Sequence, residues 1–80
     1  MDSIPLSMLQ AGDWAVVNEI VGQPPLVQRL AEMGLRPGAE LEMVRHGDPC
    51  MIRIAGQPLP LGLRADAETH ILVAPLRTHS

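Results

Sequence analysis

The chain of 80 residues has no Phe and no Tyr, and Trp14 is its one aromatic residue. Its core must therefore be aliphatic, and neither nucleic-acid bases nor proline-rich peptides find an aromatic platform to stack on. Lysine is absent, and six Arg face nine acidic residues for a net charge of −3. A nucleic-acid backbone is bound by neutralising phosphates, so nucleic acid is not an expected partner. The single Cys50 allows no internal disulfide. No stretch approaches the ~20 apolar residues of a membrane span, so direct membrane insertion is not expected. The opening MDSIPLSML lacks the charged and long apolar regions of a secretory signal. These absences describe a reduced, soluble, cytoplasmic protein.

Hydrophobic residues make up 46% of the chain, the level of an ordinary globular domain. Eighty residues make one domain, 1–80, with a core over about 6–74 and a loose tail over 75–80. So small a fold hides only ~60% of its unfolded surface, which leaves a thin core. Pro and Gly break the chain every eight to twelve residues, the rhythm of several short strands.

Ser7 is placed to cap a short turn through Met8, Leu9 and Gln10 that ends at Gly12. WAVVNEIV, Trp14 to Val21, is rich in β-branched residues and reads as the first strand, with Ala15 and Val17 on one face and Trp14 and Val16 on the other. Pro25 suits a first helical position. Leu26, Val27, Leu30, Ala31 and Met33 then follow helical spacing, with Gln28, Arg29 and Glu32 toward water. That helix is too short to persist unless docked.

In RLAEMGLRPGAELEMV, Gly34 stands where a helix ends in a left-handed residue. Leu35 is placed to fold back onto the last helical turn. Arg36-Pro37-Gly38 suits a type II turn. Leu41 and Met43 share one face of the next strand. His46 to Pro49 is a turn, and Cys50, Ile52 and Ile54 alternate with Met51, Arg53 and Ala55. Gly56-Gln57 connects to a strand through Leu59, Leu61 and Leu63, whose prolines place it at an edge. A turn over Ala65 to Glu68 leads to a last strand, His70 to Ala74, with Ile71 and Val73 inward. The fold class is mostly β: a small SH3-like barrel of about five strands, with a short helix inserted after the first strand and short helical turns. An OB-type barrel is the nearest alternative.

Arg29-Leu30, Met33-Gly34-Leu35, Pro37-Gly38, Gly47-Asp48-Pro49 and Leu63-Arg64, followed by Ala67, Ile71 and Val73, resemble the FeoA family over about Leu6 to Val73. The resemblance implies an SH3-type barrel and an accessory role in bacterial ferrous iron uptake. It names as partner the cytosolic region of FeoB, a membrane iron transporter with a cytosolic GTPase domain. The same barrel occurs as a C-terminal domain in DtxR-type repressors, so a metal-responsive regulatory module is the alternative.

Chemistry is sparse. The hydroxyl and thiol candidates Ser3, Ser7, Cys50, Thr69, Thr78 and Ser80 lie mostly near the ends, and no glycine-rich phosphate loop is present, so no enzyme is expected. His46, Asp48 and Cys50 are weak metal candidates, half of a ligand pattern; His70 and His79 lie far off in sequence. A solvated His beside a small, partly buried Cys is the favoured reading. No cofactor is expected beyond adventitious divalent metal shared between neighbouring molecules. The corner is read as projecting Arg29, Met33, Leu35 and Arg36 toward a protein partner, a task that suits Arg. The proline-bearing edge is a second candidate surface, for strand addition by a partner or for weak homo-oligomerisation.

Overall fold

The computed structural model describes residues 3–68 and 70–76, with Ala65 and Glu68 described by their backbone alone. Among these residues, six strands form one antiparallel sheet in the order β1-β6-β2-β3-β4-β5. The strands are β1 (Ile4–Pro5), β2 (Trp14–Ile20), β3 (Glu40–Arg45), β4 (Cys50–Ile54), β5 (Leu61–Leu63) and β6 (Ile71–Pro75). Helix α1 (Pro24–Glu32) joins β2 to β3, and the short α2 (Ala65–Glu68) joins β5 to β6. The mostly β, SH3-like reading holds.

The core follows the two-residue period of the strands. Ala15 and Val17 of β2, Leu41 and Met43 of β3, Cys50, Ile52 and Ile54 of β4, and Ile71 and Val73 of β6 are all buried. Trp14 is only half-buried, so the one aromatic ring lies outside an aliphatic core. A bulge between Val17 and Glu19 shifts the β2 register against β6. The extra residue resets the alternation, and Ile20 rather than Glu19 packs against the core.

Several expectations need correction. The sheet has six strands, because Ile4 and Pro5 pair with Val73 and Leu72. A two-residue strand shows no periodicity, and a proline that lacks an N–H is tolerated at an edge. The first turn is a 3₁₀ helix over Leu6–Met8 with no side-chain cap from Ser7. Its anchor is the buried Leu6. Helix α1 starts at Pro24 rather than Pro25, with both prolines where a helix needs no N–H. Pro75 and Leu76 are not a loose tail: Pro75 pairs with Ala15 in β6, and the Leu76 N–H donates to the Trp14 carbonyl at 2.8 Å. The remainder of that expected tail, 77–80, lies outside the described residues.

The end of α1 is fixed by two backbone bonds. The Gly34 N–H donates to the Ala31 carbonyl at 3.0 Å, and the Leu35 N–H reaches back to the Leu30 carbonyl at 2.9 Å. This is a Schellman closure, with Gly34 at φ 98° and Leu35 and Leu30 both buried against each other's turn. The type II turn follows, its Ala39 N–H on the Arg36 carbonyl at 3.0 Å and Gly38 at φ 95°. The turn grips β2 through two further bonds. The Gly38 N–H donates to the Val17 carbonyl, and the Val17 N–H donates to the Ala39 carbonyl, each at 2.8 Å. The helix end is thereby tied to the middle of the sheet.

A methyl at Gly34 would meet two obstacles: the left-handed backbone and the Gln57 side-chain amide, whose nitrogen approaches the Met33 carbonyl at 3.4 Å. Gly34→Ala is expected to cost about 1–3 kcal/mol. Adding Gln57→Ala should restore the steric part and leave the backbone part. Urea titration of the single and double variants measures both, and a Gly34→Ala protein as stable as the parent would contradict this account of the corner.

Candidate functional site: the corner and the groove beside it

Helix α1 is amphipathic. Leu30 is fully buried, Leu26 and Met33 are half-buried against the core, and Arg29 lies on the exposed side. The helix forms one wall of an open groove of about 590 Å³. Leu26, Arg29, Leu30 and Met33 line that wall; Gly62, Leu63 and Arg64 line the other, with Asp66, Ala67 and His70 at the α2 end. A second hollow of about 780 Å³ shares Gly62, Arg64 and Asp66 with the first and adds Asp48 and Pro49. The groove has an apolar floor and a charged rim. No hydrogen bond or salt bridge joins Arg29 or Arg64 to another described residue, whereas Arg53 pairs with Glu42 across β3 and β4 at 3.3 Å.

The four expected contact residues divide. Arg29 and Met33 line the groove. Arg36 is exposed but occupied: its guanidinium donates to the Ala31 carbonyl at 2.9 Å, at the negative end of the helix. Leu35 is 0% exposed and so cannot meet a partner. The reason is the Schellman closure, which turns its side chain inward. Met33 is half-buried, and Met43, on the face it shares with Leu41, is fully buried.

The metal candidates do not converge. Cys50 is fully buried on the core face of β4, while His46 and Asp48 are exposed in the preceding turn. Among the described residues, no three His, Cys, Asp or Glu side chains gather as a ligand set. His79 lies outside the described residues. The expected edge strand is shorter than read: β5 holds only Leu61–Leu63 and no proline, since Pro58, Leu59 and Pro60 form the bend before it, where Leu59 is 75% exposed. Among the described residues β5 pairs with β4 alone, so it does lie at an edge.

Sequence reasoning missed the far wall. Asp66, Ala67 and His70 face α1 across some forty residues of chain, a proximity without any local signal. Arg64 was visible as a family position, but its place opposite Arg29 was not.

A family model, the FeoA domain, matches residues 4–75. The chain belongs to the FeoA family. It is similar to a FeoA protein from Chlorobium tepidum, with 32% identity over 96% of this chain and 74% of that one, at a TM-score of 0.83. It is also similar to a crystal structure of an iron uptake regulatory protein, FeoA, with 28% identity over 95% of this chain and all of that one, at a TM-score of 0.84. A manganese-dependent transcriptional repressor shares the fold at a TM-score of 0.86 and 19% identity, over 95% of this chain and 38% of that one. No curated protein sequence matches the chain significantly. Membership of the FeoA family connects the chain to iron transport. Among the described residues, no helix is long and apolar enough to cross a membrane.

Leu35 and Arg36 therefore have structural tasks that stability measurements can separate. Leu35→Ala should cost about 2–5 kcal/mol, as a fully buried leucine does. Arg36→Gln should cost about 0.3–1 kcal/mol, the worth of an exposed cation at a helix C-terminus. Denaturant midpoints read both, and a Leu35→Ala protein within error of the parent would contradict the buried placement.

Proposed function

We propose that this protein is a non-enzymatic accessory of bacterial ferrous iron uptake that docks on the cytosolic part of FeoB and promotes transport. Family membership supports the process. The observation that carries the docking role is the groove beside α1, where Arg29 and Met33 stand on a helix whose end is fixed to the sheet. A docked surface held this firmly needs little ordering on contact, which favours affinity.

The mechanism is a shift of populations. A partner that binds one conformation of the transporter better than another biases the equilibrium by that difference. A tenfold preference is worth about 1.4 kcal/mol. No bond is made or broken in this chain.

A second reading is a metal-responsive module, which the repressor's fold alone favours. It requires tight one-to-one binding of ferrous iron, manganese or zinc by dilute monomer. Calorimetric titration with each ion decides it, and the accessory reading expects no such binding.

Capture of FeoB's cytosolic region by immobilised protein tests the accessory reading. Wild type should retain it, while Arg29→Glu and Met33→Asp, once shown to be folded by circular dichroism, should retain markedly less. Equal retention by both variants would move the contact off this face. Leu35→Asp is unsuitable, because it places a charge in the core.

A further inference from the structure

The groove has a chemistry of its own. Its floor is apolar, from Leu26, Leu30, Met33 and Leu63. Its rim carries two guanidinium groups on opposite walls, Arg29 from the helix and Arg64 from the end of β5. Both lack a hydrogen-bonded or ion-paired partner among the described residues, on a chain whose net charge is −3. One carboxylate, Asp66, stands on the same rim, so the formal charges of the groove sum to net positive. The adjoining hollow has the opposite balance, with Asp48 and Asp66 against Arg64.

We infer that the groove receives an acidic amphipathic segment of a partner protein, with carboxylates set against Arg29 and Arg64 and apolar side chains on Leu26 and Met33. The inference rests on the docking role proposed above and adds the chemistry of what docks. Charge complementarity selects this occupant. A basic segment would meet two unpaired cations, and like charges at an interface are a strong barrier to wrong partners. A small inorganic anion would gain the arginines but leave the apolar floor in water, whereas a peptide covers both.

The test uses the full chain labelled with nitrogen-15 and a short helical peptide of Leu and Glu as probe. A matched peptide with Gln for every Glu is the control. The amides of Leu26, Arg29, Met33, Leu63 and Arg64 should shift saturably with the acidic probe and far less with the control, and the effect should weaken as salt rises. Arg29→Gln and Arg64→Gln should each weaken binding by about threefold, the worth of an exposed ion pair, and together by about tenfold. No binding, equal binding of the Gln peptide, shifts confined to another face, or a double variant with unchanged affinity would each overturn the inference. Capture of FeoB's cytosolic region, run alongside, separates the two levels. Capture without seating of the probe overturns the groove chemistry and leaves the docking role. Seating of the probe without capture does the reverse.

Discussion

The bond from the Leu35 N–H to the Leu30 carbonyl is the contact on which the rest of this molecule depends. Helix α1 has nine residues, and a helix of that length is marginal in water without tertiary support. The bond reverses the chain while Leu35 enters the core, so the last turn of the helix is closed and anchored in one step. Gly34 makes the reversal affordable in backbone terms by taking the left-handed conformation. The Pro37-Gly38 turn then clasps Val17 in the centre of the sheet, and β3 begins directly after it. Without this sequence of events α1 would have no fixed position, and the groove would lose one wall.

The aliphatic core explains why so much depends on one corner. Each fully buried Leu, Ile or Met contributes about 1.5–3 kcal/mol, against an ordering cost of about 1–2 kcal/mol for every residue of backbone. A fold of this size has few such side chains, and here none is aromatic. Its strands must place nearly every inward residue correctly. The bulge after Val17 is part of that economy, since it brings Ile20 onto the core face where strict alternation would have presented Glu19. The short β1 and the closing residues of β6 serve the same end by covering the β2 side of the sheet.

Much of this was legible in the sequence because it is local. The alternation of Cys50, Ile52 and Ile54, the helical stripe through Leu30, the Gly34 stop and the Pro-Gly turn each state their geometry within a few residues, and each is found as read. The edge position of the Leu61 to Leu63 strand was read from Pro58 and Pro60, which lie in the bend before it rather than in the strand. What escaped was not local. Strand β1 has two residues and exists because β6 offers it a ladder. Leu35 was read both as folding back and as projecting, and these are exclusive once the Schellman bond is made. Four of the ten residues that line the groove come after β5, and no pattern in the sequence says that Arg64 and His70 will stand across from Arg29.

This division bears on what the family signature means physically. The residues that carry the resemblance around the corner, Leu30, Met33, Gly34, Leu35, Pro37 and Gly38, are the ones that close the helix and clasp the sheet. They hold a shape, and the fold as a whole is shared with a repressor of which it covers 38%. A shared corner therefore says how α1 is held and nothing of what it touches. Contact is decided by side chains that the corner carries but does not use. Arg36 already donates to the helix end and Arg53 to Glu42. Arg29 and Arg64 are left on the rim of an apolar groove, where a guanidinium fork has the most to gain from a carboxylate.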